Sequence, residues 1–304
     1  MSKINISKLK TLTGHKDCVY TLERSNVDHI FFSGAGDGMV VYWDLNAQDG
    51  QLIAKLPNSV YGLHYIKQHD LLVAGHNYDG IHLLDWQERK EVGSLNMTKS
   101  AIFDIDSYED LLFVGDTSGT VSVINYKQLK IVYKIKDANK SARTMAVNKK
   151  TNELAVGYSD NKIRIYDLTD FELKKEFEAH TNSIFTLCYS PTEDLLLSAG
   201  RDAHLKIWDV QAHYQPLKDI VAHMYAINNI DFSPDGKHFV TCSMDKSIKV
   251  WDATTFKLLK VIDKARHAGH GTSVNKLLWS AYKDLLISAS DDRTISVWDI
   301  KFNN

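Results

Sequence analysis

Short apolar runs alternate with clusters of turn residues along the whole chain. The runs are rich in Val, Ile, Tyr, Phe and Thr, and Gly, Asp, Asn or Ser-Pro sequences separate them. β-Branched and aromatic residues favour the pleated surface of a strand, and the separating residues favour sharp chain reversals. No segment sustains an apolar period of about 3.6 residues, which an amphipathic helix would show. The pattern therefore predicts an all-β protein.

One sequence phrase recurs along the chain: a small residue, an acidic turn, an apolar strand, an aromatic residue and Asp. Its best copies read SGAGDGMVVYWD, LSAGRDAHLKIWD, TCSMDKSIKVWD and SASDDRTISVWD. Seven copies end at Asp44, Asp85, Asn125, Asp167, Asp209, Asp252 and Asp299. The steps between these ends are 41, 40, 42, 42, 43 and 47 residues, close to the length of a propeller blade. Residues 1–304 are therefore predicted to form one seven-bladed β-propeller of four-stranded antiparallel blades.

Four repeats open with a His at a constant distance from the Asp of the turn. His15, His180, His223 and His270 each precede that Asp by 22 residues. Gly or Ala precedes each His, and residues 233–236 read Ser-Pro-Asp-Gly. Together with the closing Trp-Asp pairs, these motifs resemble the WD-repeat (Trp-Asp repeat) β-propeller family over essentially the full chain. Repeats two to four lack the His.

The resemblance implies a hydrogen-bonded network of His, Ser or Thr, Asp and Trp in each well-formed blade. The sets are His15, Ser33, Asp37 and Trp43; His180, Ser198, Asp202 and Trp208; His223, Thr241, Asp245 and Trp251; and His270, Ser288, Asp292 and Trp298. Buried polar groups need partners, and such a chain supplies them. Ser, His and Asp also make up a hydrolytic triad. Because the set recurs once per blade beside a Trp, a structural role is the favoured interpretation.

The two ends of the chain are expected to close the ring. Residues 5–12 alternate charged and apolar positions, as residues 171–177 do before the fifth repeat. Charged positions suit an outermost strand, where they discourage edge-to-edge pairing. The chain ends five residues after Asp299, too soon for the last blade to supply its own outer strand. Residues 5–12 are therefore predicted to complete that blade.

The candidate binding surface is the rim of the central channel on the top face, which carries the loops with the His residues. In the family, the side chain five residues beyond the His stands at this rim, which implies Tyr20, Phe185, Asn228 and Asn275, while the apolar pattern of the other repeats adds Tyr61, Phe103 and Arg143. A second ring, just before the turn Asp, contains Arg201, Met244 and Asp291, with Asn77, Thr117 and Ser159 at the shifted positions. Aromatic and Arg side chains dominate binding hot spots. The alternative is that these side chains only line the channel.

Repeats two to four depart from the pattern. Leu84, Ile124 and Tyr166 stand where the Trp is expected, and Tyr78 and Ser118 stand where the turn Asp is expected. One explanation is that these blades carry a partner. The other is drift in a tolerant scaffold, since a side-chain hydrogen bond is worth only about 0.5 to 1.5 kcal/mol net. We favour drift.

Charge and composition exclude several classes of partner. The chain has 36 basic and 38 acidic side chains, so its overall field favours neither nucleic acid nor an anionic membrane. The amino terminus lacks the apolar core of a secretory signal, and no run approaches the roughly 18 apolar residues of a membrane span. We expect a cytoplasmic protein without nucleic-acid or membrane partners.

The sequence offers little candidate chemistry. Its three Cys residues show no CxxC spacing, which predicts buried free thiols. His267 lies near His270, but His270 belongs to the blade network and no third ligand is nearby, so neither a metal nor a cofactor is expected. The predicted function is a noncatalytic scaffold that binds a peptide segment or a protein surface, as a monomeric propeller within a larger complex. The alternative is a small-ligand-binding or hydrolytic propeller, which carboxylates, His or Lys converging on the channel mouth would support.

Overall fold

Seven four-stranded antiparallel sheets form the blades of a propeller. The computed structural model describes residues 4–47 and 49–302. The first strand, β1 (Ile4–Leu12), precedes the first blade. Blade 1 contains β2 (Val19–Arg24), β3 (Ile30–Ala35), β4 (Met39–Asp44) and β5 (Asp49–Lys55). Blade 2 contains β6 (Leu63–Ile66), β7 (Leu71–His76), β8 (Gly80–Asp85) and β9 (Lys90–Asn96). Blade 3 contains β10 (Ile102–Tyr108), β11 (Leu111–Asp116), β12 (Val121–Asn125) and β13 (Lys130–Ile135).

The remaining blades follow the same order from the channel outwards. Blade 4 contains β14 (Ala142–Asn148), β15 (Glu153–Tyr158), β16 (Lys162–Asp167) and β17 (Leu173–Glu178). Blade 5 contains β18 (Ile184–Tyr189), β19 (Leu195–Gly200), β20 (His204–Asp209) and β21 (Gln215–Val221). Blade 6 contains β22 (Ile227–Phe232), β23 (His238–Ser243), β24 (Ile248–Asp252) and β25 (Leu258–Ile262). A short helix, α1 (Lys264–His267), leads to blade 7, which contains β26 (Val274–Trp279), a 3-10 turn (Tyr282–Asp284), β27 (Leu285–Ser290) and β28 (Ile295–Phe302).

Strand β1 closes the ring. It pairs antiparallel with β28, from Ile4 opposite Phe302 to Leu12 opposite Ile295. Ile4 and Leu12 at its ends are buried, and no residue between them is fully buried. The prediction that residues 5–12 complete the last blade is confirmed, and the strand begins one residue earlier, at Ile4. Both ends of the chain therefore share one sheet.

The hydrophobic core lies between neighbouring blades. The second strand of each blade is the most protected, and β3, β15 and β27 are buried at every position. One apolar cluster joins Trp43 of blade 1 to Ile287 and Val297 of blade 7. The outermost strands are largely exposed, as the pattern of β21 shows. Sequence alternation in the outer strands therefore reflects one solvated face, while the continuous apolar runs reflect burial on both faces.

Polar side chains of the innermost strands join one blade to the next. Asp104 in β10 accepts the N–H of Met145 at 2.6 Å, and Asp106 accepts that of Val147 at 3.0 Å. Other bonds of this kind join Thr144 to Leu187, Asn229 to Leu277 and Asp231 to Trp279. An innermost strand has no further strand to pair with, so its backbone donors need such acceptors. These bonds hold the inner edges of the blades around the channel.

Candidate functional site at the top face

A chain of hydrogen bonds supports the loop of each well-formed blade. In blade 6, Trp251 Nε1 donates to Thr241 Oγ1 at 2.9 Å, Thr241 Oγ1 lies 2.8 Å from His223 Nε2, and His223 Nδ1 lies 2.9 Å from Asp245 Oδ2. The structure brings the other three sets together in the same way: His15, Ser33, Asp37 and Trp43; His180, Ser198, Asp202 and Trp208; and His270, Ser288, Asp292 and Trp298. The spacing in the sequence therefore reflects a repeated tertiary contact.

The hydrogen-bond donors of the blade 6 network indicate which nitrogen of His223 carries the proton. The indole N–H of Trp251 donates to the Thr241 hydroxyl, the buried hydroxyl proton has His223 Nε2 as its acceptor, and the imidazole Nδ1–H then donates to Asp245. This order requires a neutral imidazole. Burial lowers the pKa of His15 and of His223, in agreement with it. Burial opposes ionisation of Asp245 as well, but the interactions with His223, Ser247 and the backbone N–H of Met224 together outweigh it and hold the pKa of Asp245 well below its usual range.

The network does not present a nucleophile. Ser33, Ser198 and Ser288 have no solvent exposure. Each hydroxyl is also engaged by both a His and a Trp. A hydrolytic Ser must reach a substrate carbonyl beside an oxyanion hole. These sets therefore stabilise the blades and do not form triads.

The predicted rim residues converge on one cavity. Tyr20, Tyr61, Phe103, Arg143, Phe185, Asn228 and Asn275 all line a cavity of about 600 Å³ at the mouth of the channel. Ring centroids are 4.6 Å apart for Tyr20 and Tyr61, and 6.0 Å apart for Tyr61 and Phe103. The guanidinium carbon of Arg143 lies 4.2 Å from the ring centroid of Phe103 and 4.6 Å from that of Phe185. Five rim side chains thus form a continuous arc, which we call the aromatic arc.

The two Asn residues complete the rim by joining blades. Asn228 Nδ2 donates to the carbonyl of Val274 at 2.8 Å, and Asn275 Nδ2 donates to the carbonyl of Val19 at 3.0 Å. Asn275 also donates to the carboxylate of Asp291 at 2.8 Å, and this bond engages the second-ring position of blade 7. Because these amide N–H groups bond to the neighbouring blade, Asn228 and Asn275 join adjacent blades at the rim.

Two guanidinium groups stand at this rim without a counter-charge. Burial, followed by the nearby charge of Arg201, lowers the pKa of Arg143. Arg201 itself is exposed. Within residues 4–47 and 49–302, neither guanidinium group has an ion-pair or hydrogen-bond partner. The rim therefore carries uncompensated positive charge beside aromatic rings.

An exposed apolar group lies next to the rim on blade 6. Met244 is 52% exposed, as a second-ring residue should be. Met224 and Tyr225, in the loop before β22, are 82% and 63% exposed. Sequence reasoning missed these two, although an apolar pair directly after a loop His is a usable signal. Exposed apolar side chains at one place favour a contact surface.

The shifted positions of the second ring behave differently. Asn77 is buried, and its side chain accepts the N–H of Ile102 at 2.8 Å, so it is not available at the rim. Thr117 is half-buried and its hydroxyl accepts the N–H of Ala101 at 3.2 Å. Ser159 is also half-buried. In the irregular blades, the side chains of Asn77 and Thr117 therefore accept backbone N–H groups of the protein and are less available to a partner.

Ionisable side chains line the channel below the arc. Glu23, His64, Asp104, Asp106 and Lys276 all contribute to the same cavity. Burial raises the pKa of Glu23 to about 7 and of Asp104 and Asp106 to about 6, and burial lowers the pKa of His64 to about 4. Sequence analysis missed this convergence, because these residues come from four blades and alternate with buried positions. This is the kind of group that the small-ligand alternative requires.

In the irregular blades, Leu84, Ile124 and Tyr166 replace the Trp of the network, and other polar contacts form nearby. Leu84, Ile124 and Tyr166 pair across the sheet with Leu72, Leu112 and Leu154, as Trp43 pairs with Phe31. In blade 3, Asp116 accepts the N–H of Ser118 and the hydroxyl of Thr98, each at 2.8 Å. In blade 4, the guanidinium carbon of Arg164 lies 4.7 Å from the ring centroid of Tyr158, and Arg164 pairs with Asp160 at 2.8 Å. Tyr78 of blade 2 is exposed.

The thiols are free but unequally buried. Cys242 is buried, whereas Cys18 and Cys188 are half-buried, so the buried-thiol prediction is wrong in degree for those two. Burial raises the pKa of Cys18 to about 11 and of Cys188 to about 12. A thiol with a raised pKa is a poor nucleophile.

None of the helices in the described ranges is long and apolar enough to cross a bilayer.

Comparison with known families agrees with the geometry. The family model described as WD domain, G-beta repeat matches residues 6–44, 171–209, 214–252 and 261–299, about half of the chain. The chain belongs to this WD40 family. Each match covers the three inner strands of a blade with a complete network, together with all or part of the outer strand of the preceding blade, and the first includes most of the closing strand. A model described as the anaphase-promoting complex subunit 4 WD40 domain matches residues 105–187, from blade 3 into the first strand of blade 5.

Individual relatives resemble the chain over different extents. The WD repeat-containing protein 91 homolog of Dictyostelium discoideum is 23% identical, over 99% of this chain and 41% of that protein. The THO complex subunit 6 homolog of Danio rerio is 31% identical, over 45% of this chain and 49% of that protein. The chain thus spans less than half the length of these relatives. The crystal structure of the WD40 β-propeller domain of Doa1 superimposes with a TM-score of 0.85 at 18% identity, over 97% of each chain, which shows the shared fold.

Proposed function

We propose that the protein is a noncatalytic scaffold that binds an acidic peptide segment, or an acidic protein surface, across the top rim of the channel. The observation that carries this proposal is the aromatic arc, with Arg143 held between Phe103 and Phe185. Family membership supports a binding role, and one relative is by its printed name a component of a complex. We expect a propeller that is itself monomeric within such a complex.

The chemistry of the rim favours a carboxylate ligand. Arg143 and Arg201 supply positive charge that no described acidic side chain neutralises. A guanidinium fork binds a carboxylate through two parallel hydrogen bonds, and rings beside it exclude water and strengthen the pairing. Met224, Tyr225 and Met244 then offer exposed apolar contacts beside it. An acidic side chain flanked by apolar residues would satisfy both surfaces.

A second candidate is a small ligand within the channel cavity. Convergence of Glu23, His64 and Lys276 favours it. Against it, Asp104 and Asp106 already accept backbone N–H groups of blade 4, and His64 Nε2 lies 2.6 Å from the hydroxyl of Ser107. These engagements leave fewer free groups for chemistry than the residue types suggest.

The test is selection from a random peptide library against the purified protein. We expect enrichment of peptides with Asp or Glu beside apolar residues. An Arg143→Gln, Arg201→Gln variant should lose that enrichment, and a Tyr20→Ala, Phe185→Ala variant should weaken binding of the selected peptides at least tenfold. Binding should also weaken as salt rises, because screening acts on the exposed charge.

A matched control separates a rim effect from a general loss of charge. Arg89, on the turn before β9, bonds to Gln51 and lies outside the cavity lining. The Arg89→Gln variant should select the same peptides as the wild type. Peptides that bind the rim variants and the wild type equally would contradict the proposal, and binding only of small charged ligands would favour the second candidate.

A further inference from the structure

Blade 2 contains a compact group of two imidazoles and a carboxylate where the standard network is absent. His76 ends β7, His82 lies in β8, and Asp79 lies in the turn that joins them. Ala74 occupies the position that Ser33 has in blade 1, since Ala74 pairs with His82 as Ser33 pairs with Val41. Blade 2 therefore lacks the hydroxyl that organises the regular blades.

Three atoms of this group face one another. His76 Nδ1 lies 3.2 Å from His82 Nε2 and 3.2 Å from Asp79 Oδ2, and His82 Nε2 lies 3.8 Å from the same Asp79 oxygen. Imidazole nitrogen and carboxylate oxygen bind zinc at about 2.0 to 2.2 Å. A point about 2.1 Å from all three atoms exists close to the plane of their triangle, so one ion fits without moving them.

Each of the three groups also has an outer partner that orients it. His82 Nδ1 lies 2.7 Å from Glu91 Oε2, which leaves Nε2 as the free lone pair. The second oxygen of Asp79 accepts a hydrogen bond from Asn96, so Oδ2 faces the imidazoles. His76 Nε2 lies 3.3 Å from the side-chain amide of Asn58. Metal-ligating His residues characteristically donate their other ring N–H to a carboxylate, a backbone carbonyl or water, as His82 does to Glu91.

Access and charge distinguish this group from the blade networks. His76 is nearly buried, its side chain 7% exposed, whereas the side chain of Asp79 is 35% exposed and that of Glu91 is 45% exposed. An ion can therefore enter from the surface and keep an open coordination position for water or for a donor on a partner. Without an ion, His76 Nδ1 must carry the proton that His82 Nε2 accepts. Binding displaces that proton to Nε2, so a bound ion replaces the hydrogen bond that Asn58 donates to Nε2.

We propose that His76, Asp79 and His82 form a site for a divalent transition-metal ion of the zinc type, with one coordination position open at the surface of blade 2. Two nitrogen donors exclude Ca²⁺ and Mg²⁺, which require oxygen ligands. The spacing His-x2-Asp-x2-His is visible in the sequence. It becomes a site only because the tight turn between β7 and β8 places all three residues at one end of the blade.

The test is Zn²⁺ titration of chelator-stripped protein in competition with a chromophoric chelator, with Co²⁺ absorption as the spectroscopic readout. The wild type should bind one equivalent, and a hundredfold excess of Mg²⁺ or Ca²⁺ should not displace it. Asp79→Asn and His82→Gln should each weaken binding at least 100-fold and abolish the Co²⁺ spectrum. Glu91→Gln should weaken binding about tenfold or more, as loss of an outer partner does.

The control is His204→Gln in blade 5. His204 Nδ1 lies 2.5 Å from Asp219, so this variant removes a similar exposed pair that has no third ligand among residues 4–47 and 49–302. It should bind Zn²⁺ as the wild type does. Urea unfolding of each variant shows whether it is folded. If His82→Gln does not fold, the Zn²⁺ affinity of Asp79→Asn alone tests the proposal. Less than one equivalent in the wild type, or equal affinity in the folded Asp79→Asn variant, would overturn the proposal.

Discussion

The hydroxyl of Thr241 is the shared atom of the blade 6 network, so its removal tests the network most directly. Thr241→Val keeps the β-branched shape and replaces only the hydroxyl by a methyl group. The side chain has no solvent exposure, and its oxygen lies 2.9 Å from Trp251 Nε1 and 2.8 Å from His223 Nε2. The variant leaves one buried donor and one buried acceptor without partners, and each costs about 1 to 3 kcal/mol. We expect the free energy of unfolding to fall by about 2 to 6 kcal/mol.

Equilibrium unfolding in urea, followed by Trp fluorescence and by circular dichroism, measures this change. Unfolding entropy is about 2.1 cal/mol/K per residue, which corresponds to a Tm lower by roughly 5 °C for a chain of this size. Thr11→Val is the matched control, since Thr11 is exposed in β1. Such a surface change should stay within about 0.5 kcal/mol. A Thr241→Val effect no larger than that of the control would refute the network as a source of stability.

Two further predictions concern the closure and the channel. Hydrogen exchange should show the N–H groups of β1 (Ile4–Leu12) that bond to β28 as protected as those of β28 that bond to β1, because the two strands form one ladder; far lower protection of those groups in β1 would contradict closure by this strand. Asp104 and Asp106 have a folded-state pKa of about 6, above the value of about 3.9 expected in the unfolded chain. Their contribution to stability is therefore complete below about pH 4 and is lost as pH rises through 6. An Asp104→Asn, Asp106→Asn variant, which does not titrate, should gain stability relative to the wild type between pH 4 and 7, and parallel curves in urea would argue against raised pKa values.

Several features could be predicted from the sequence because they are local or periodic. Strand and turn composition repeats about every 42 residues, and this period counts the blades. The constant interval from His15 to Asp37 and its later copies predicts a contact because each pair belongs to one blade. The charged alternation of residues 5–12 predicts an outer strand because alternation is a local sign of one solvated face.

Other features depend on how the blades meet, and no local pattern reports that. Glu23 and Lys276 come from opposite ends of the chain, and only the ring geometry places both in one cavity. Cys18 is half-buried although Val19 and Tyr20 follow it, and its thiol lies 3.6 Å from the backbone carbonyl of Asp291 in the last blade. The pairing of His82 with Ala74 brings His82 beside His76, a contact that requires the register of blade 2. The sequence by itself determined the number, order and closure of the blades, since those follow from period and alternation. Only the tertiary structure decided which side chains converge at the rim, in the channel and on blade 2, since convergence depends on the packing of one blade against the next.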